Sequence, residues 1–265
     1  MCKFFALLKL NLSQALAYRG LMMTWSFVSL FALLSSLFLW TAVNPKADKI
    51  GSYQIPELAS YFFVMFIVEL FLNWHLEVPI MNEIRDGKLS HFLLKPMSYL
   101  YRKFASALSW RIMSLSFKSI LAFFVFMMFR SLFQFPEFTF LKIIYIIASM
   151  ILGSVVGIFM SACIGFLTFW FLETRAIFDF YYLSRHILGG RDLPLGIFPL
   201  WLQGVAFVLP FRYIFSFPIE IYFDKLSSSQ ILQGFLIQMF WTVVCVFIYK
   251  WLWKRGVRKY TAFGN

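Results

Sequence analysis

Residues 82–95 read NEIRDGKLSHFLLK and abut Pro96. This charged passage separates two of the most apolar stretches of the chain, so it marks a place where the polypeptide leaves one environment and re-enters it. It holds a helix start, a break at Gly87, the apolar set Leu89, Phe92, Leu93 and Leu94, and a stop at Pro96. Such a segment has one face to lay on its own protein and a charged face to offer a partner.

Working outward, the flanking runs define the solvent. The 265 residues are 61% hydrophobic and 22% aromatic with only 14% charged, more apolar surface than a soluble domain of this length can bury. The chain therefore reads as an all-α integral membrane protein. A crossing takes about 20 mostly apolar residues. Six runs qualify, near 21–43, 57–80, 107–130, 141–171, 174–189 and 229–252. A further apolar stretch from Pro194 to Phe211 is short and interrupted by proline. It is expected to form a re-entrant hairpin over 194–213, where protein surrounds the broken backbone.

The net charge of +12 comes from 24 Lys and Arg against 12 Asp and Glu. The basic residues sit at the ends of apolar runs, where they set orientation and meet anionic lipid, so no nucleic-acid partner is expected. Lys3, Lys9, Arg19, Arg85, Lys88, Lys95, Arg102, Lys103, Arg175, Lys254, Arg255, Arg258 and Lys259 fall on one side. By the positive-inside rule both termini and the 81–106 segment should be cytoplasmic, in a multi-pass protein of the plasma (inner) membrane. The first 20 residues place Phe5, Leu8, Leu12, Ala15 and Leu16 at helical spacing, which suits an amphipathic helix lying in the interface. A plain extension of the first crossing is the alternative.

No GxxxxGK[ST], HExxH or GxSxG motif is present, and neither the three cysteines nor the three histidines have metal-ligand spacing. No catalytic residue or metal site is assigned. Ionisable residues within the crossings are costly and usually paired or functional. In the second crossing Glu69, Asn73 and Glu77 share a helical face, as do Arg111, Ser114 and Lys118 in the third. Matching depth across an antiparallel hairpin predicts two ion pairs, Glu77 with Arg111 and Glu69 with Lys118. Glu69 is also a candidate contact for a cationic substrate group or a proton. The fourth crossing carries Ser149, Gly153, Gly157, Ser161 and Gly165 at every fourth position, a stripe for close helix packing within the subunit or at a subunit interface.

The pattern EIRDGKLSHFLLKP resembles the cytoplasmic coupling segment of the ABC-2 type (type-2 ATP-binding-cassette) transporter permease family. The stretch ETRAIFDFYYLSRHILGGRDLPLGIFPLWLQGVAFVLPFRYIFSFPIEI is similar to that family's fifth crossing and re-entrant extracellular hairpin. With the basic tail KRGVRKY, the resemblance covers nearly the whole chain as one permease domain, 1–265. It implies a coupling helix between crossings two and three, with Glu83, Arg85, Asp86, Lys88 and His91 as contacts to a separate ATPase subunit. ATP and Mg would reside on that partner, with no cofactor in this chain. It implies an outer gate of Phe198, Trp201, Phe207 and Phe211, although aromatic anchoring at headgroup level explains these residues as well. It further implies pairing with a second copy or a similar permease, and export of a lipid, glycan, drug or peptide. A membrane-embedded enzyme acting on lipid and an ion-coupled transporter without an ATPase are the alternatives.

Overall fold

A computed structural model describes residues 2–43, 49–50, 53–94, 97–171 and 173–260. Helix α1 (Cys2–Ala17) is joined through Tyr18 to α2 (Arg19–Val43). The strands β1 (Lys49–Ile50) and β2 (Tyr53–Gln54) form a minimal antiparallel hairpin, Lys49 opposite Gln54. Then follow α3 (Ile55–Leu72), α4 (Glu77–Arg85), α5 (Leu89–Leu93), α6 (Tyr99–Phe129), α7 (Phe140–Phe166), α8 (Arg175–Leu188), α9 (Leu200–Val208), α10 (Pro210–Ile214), α11 (Ser216–Tyr222) and α12 (Ser228–Lys259). Among the described residues, five helical segments are long and apolar enough to cross a membrane: Arg19–Trp40, Ile55–Arg85, Tyr99–Leu132, Phe140–Phe169 and Ser228–Lys259.

The long helices begin at recognisable sequence signals. Pro56 opens α3, where its missing N–H costs nothing, and Glu57 accepts from the Gln54 N–H at 3.3 Å. Ser98 caps α6, its hydroxyl accepting from the Tyr101 N–H at 3.2 Å. Ser227 and Gln230 form a reciprocal capping box at the start of α12.

Side-chain contacts fix the helix directions. Phe63 packs against Phe133 at 4.8 Å while Arg111 meets the other end of α3, so α3 and α6 are antiparallel. Helix α2 runs parallel to α6, with Lys118 donating to Ser29 at 2.8 Å and Phe38 against Phe129. Helix α1 lies along the first turns of α6, where Phe4 meets Tyr101 at 5.2 Å and Ser109 donates to the Leu8 carbonyl. Helices α7 and α12 are parallel, since Gln238 donates to the Ser149 carbonyl at 2.8 Å near one end and Phe166 packs on Trp253 near the other.

Because α7 and α12 are parallel, the chain between them must return from one end of α7 to the other. From the sequence that return is expected in one crossing over 174–189, followed by the re-entrant hairpin over 194–213. Helix α8 has 14 residues, about 21 Å long, short of the roughly 30 Å of a bilayer core. The return is completed in pieces, through a turn at Gly189–Gly190, a 3-10 turn at Leu195–Ile197, then α9, α10 and α11. Gly190 has a φ of +72°, and an added Cβ would stand 2.0 Å from the Ser216 hydroxyl, so only glycine fits this corner.

The second crossing is also discontinuous. Helix α3 ends at Leu72, residues 73–76 are not helical, and α4 begins at Glu77. Pro79 is the cause available in the sequence. In a continuous helix its ring would strike the His75 carbonyl and leave that carbonyl without a donor, whereas in the first turn of a new helix it is tolerated.

Candidate functional site: a broken crossing and its charged elbow

A helix broken inside a membrane leaves carbonyl and N–H groups that water cannot satisfy, so neighbouring side chains must. Three helices supply them. From α6, Arg111 Nη1 donates to the carbonyls of Glu69 at 2.9 Å and Leu70 at 2.8 Å, and Nη2 donates to that of Asn73. From α8, Arg185 Nη2 donates to Asn73 Oδ1 at 2.8 Å and Nη1 to the Trp74 carbonyl at 3.3 Å. From α7, the Ser161 hydroxyl accepts from the N–H groups of Leu76 at 2.8 Å and Glu77 at 3.2 Å while donating to the Glu77 carboxylate. Two arginines cap the end of α3, and one serine caps the start of α4.

This arrangement corrects both expected ion pairs. Glu77 does not meet Arg111: its carboxylate is held by Ser161 and lies 3.2 Å from His75 Nδ1. Glu69 does not pair with Lys118: it pairs with Arg191, beyond α8, while Lys118 donates to Ser29. The depth match assumed an uninterrupted helix through Glu77, and the break at 73–76 removes that register. Arg111 binds backbone carbonyls instead of a carboxylate because the break left those of Leu70 and Asn73 without backbone donors; the Glu69 carbonyl also accepts from the Asn73 N–H at 3.1 Å.

The small-residue stripe faces this site. Gly157 lies against the Leu72 carbonyl and Trp74, Gly165 against Ile80, and Gly153 against the carbonyls of Tyr213 and Ile214. A Cβ on Gly165 would stand 2.8 Å from Ile80, so α4 and α7 approach at glycine distance. In this chain the stripe packs internally.

At the far end of α4 the chain turns through Gly87, whose φ of +70° is left-handed, into α5. Lys95 and Pro96, the expected stop, lie outside the described residues. Arg85, Asp86, Lys88 and His91 are exposed, with Lys88 and Asp86 paired at 2.7 Å, an attraction that raises the Lys88 pKa. Glu83 differs from the other expected contacts. It faces inward, accepting from Tyr99 Oη at 2.7 Å and pairing with Lys103 Nζ at 2.5 Å. Arg102 donates to the Phe92 carbonyl at 2.9 Å and lies 4.4 Å above the Phe92 ring. The tip is therefore charged and open while its base is bonded to α6. Beside it Leu94 is 86% exposed.

The four expected gate aromatics do not gather into one plug within this chain. Trp201 and Phe207 are exposed, Phe198 and Phe211 half-buried. The Phe207 ring lies 3.7 Å from the Arg212 guanidinium, which pairs with the buried Glu220, and Phe211 meets Tyr181 at 6.2 Å. A single apolar run over 194–211 gave no sign that α9 would expose one face while α10 and α11 are buried against α7.

Long apolar helices, a crossing broken and capped at depth, and a charged elbow fastened to the next crossing define a multi-pass membrane transport component. A family model described as ABC-2 family transporter protein matches residues 30–264, and the chain belongs to that family. No curated protein matches the chain.

Proposed function

We propose that this chain is the permease subunit of an ABC exporter, forming the substrate path and taking its power from a separate ATPase subunit that holds ATP and Mg. Six passes follow if the α8–α11 segment counts as the fifth, with α9 and α10 as its outer re-entrant part. Both termini and the α4–α5 elbow are then cytoplasmic in the plasma (inner) membrane. The exposed Phe5, Leu10 and Leu16 of α1 lie toward the lipid interface. A homodimer, or a heterodimer with a similar permease, completes the path, and its cargo is a lipid, glycan, drug or peptide.

The observation that carries this reading is the division within residues 83–103. Arg85, Asp86, Lys88 and His91 face outward, whereas Glu83, Tyr99, Lys103 and Arg102 tie the same elbow to α4 and α6. A push on the tip reaches the broken second crossing and the third crossing together. Co-purification in mild detergent tests it. The native chain should bring down an ATP-binding-cassette ATPase, and Arg85→Ala/Asp86→Ala/Lys88→Ala should release it. A native chain with no ATPase attached would overturn the reading.

A further inference from the structure

Arg185 is 2% exposed, yet its two partners, Asn73 Oδ1 and the Trp74 carbonyl, are neutral. Arg111 likewise has only neutral hydrogen-bond partners, three backbone carbonyls, with the Trp74 ring 4.8 Å from its guanidinium. The nearby carboxylates are engaged elsewhere, Glu69 by Arg191 and Glu77 by Ser161 and His75. Two guanidinium charges at membrane depth thus rest on dipoles, an expensive arrangement unless an anion joins them. Arg185 and two of the residues it touches, Trp74 through its carbonyl and Tyr181 through its ring, carry buried polar atoms without a hydrogen-bond partner: Arg185 Nε, Trp74 Nε1 and the Tyr181 hydroxyl. Tyr181 and Trp74 are 4% and 6% exposed, and the Tyr181 hydroxyl adjoins the Arg185 guanidinium.

All three groups offer a proton, so the complement they fit is an oxygen-rich anion rather than a cation or a neutral donor. Phosphate suits them best, having several acceptor oxygens and a charge that matches guanidinium. The site lies where two broken crossings meet, and discontinuous helices build binding sites near the midplane in other transporters.

We propose that Arg185, Tyr181 and Trp74 bind the phosphate of an anionic amphiphile at the junction of the second and fifth crossings. This deepens the permease reading by giving the cargo class, and it is testable without any ATPase, so the two fail separately. The full chain is purified in detergent, and its retention of phosphatidylglycerol against phosphatidylcholine is measured by native mass spectrometry. The native chain should prefer phosphatidylglycerol about tenfold. Trp74→Phe/Tyr181→Phe should erase that preference; its melting temperature should fall, because the Trp74 ring also stacks on Phe104 and lies 4.8 Å from the Arg111 guanidinium, whereas Tyr181→Phe keeps the ring and should melt close to the native chain. Should the double variant fail to fold, Tyr181→Phe alone carries the test with a partial loss. Displacement of the lipid by millimolar inorganic phosphate would keep the anion site and assign it to free phosphate. Equal preference in native and variant chains, or none in the native chain, overturns the proposal.

Discussion

The Arg111 guanidinium of α6 grips the end of α3 through the carbonyls of Glu69 and Leu70, at 2.9 and 2.8 Å. A side chain that the sequence suggested would neutralise a carboxylate instead completes a helix terminus inside the membrane. This contact makes the broken crossing affordable and ties it to the third.

Removing that grip should cost more than removing a surface charge. Arg111→Ala leaves the Leu70 and Asn73 carbonyls without their donor, while that of Glu69 keeps the Asn73 N–H, and about 3 kcal/mol of stability should be lost. Thermal unfolding in detergent should show a clearly lower midpoint, with Arg111→Lys intermediate because an ammonium cannot span the same three acceptors. Native-like melting of Arg111→Ala would contradict the capping role.

Ser161 serves the other side of the break. Ser161→Ala strands the N–H groups of Leu76 and Glu77 and leaves the Glu77 carboxylate with His75 as its side-chain partner. A loss of roughly 2 kcal/mol is expected in the same assay. Ser161→Cys, a weak hydrogen-bonding replacement, should recover little of it.

Gly165 sets the α4–α7 spacing. Gly165→Ala should destabilise by ~1–3 kcal/mol through contact with Ile80, and adding Ile80→Ala should restore part of that loss. Additive losses in the double variant would place the clash elsewhere.

Much of this was legible in the sequence, and the parts that were not share one cause. Apolar runs of crossing length located α2, α3, α6, α7 and α12, because length and hydropathy are local properties. The elbow was legible from its charges and Gly87. The small stripe showed in the spacing of Gly153, Gly157 and Gly165, though not what it would pack against. Partners across the bundle were less legible. Pairing Glu77 with Arg111 required an unbroken helix, and Pro79, the signal against it, stood inside the apolar run assigned to that crossing. The same limit hid the roles of Ser161, Arg185 and Arg191, whose partners lie far away in sequence. Glu83 was grouped with its charged neighbours, yet helical phase turned it toward Tyr99 and Lys103.

The central claim is that the elbow both receives force at its tip and delivers it through its base. Glu83→Gln separates these roles, since it weakens the bond to Lys103 while leaving Arg85, Asp86, Lys88 and His91 untouched. The measurement is ATP hydrolysis and transport by the reconstituted complex of native or Glu83→Gln chain with its ATPase. The account predicts that Glu83→Gln still binds the ATPase and still permits hydrolysis, while transport per ATP falls several-fold. Undiminished transport per ATP, or release of the ATPase by this inward-facing change, would contradict it.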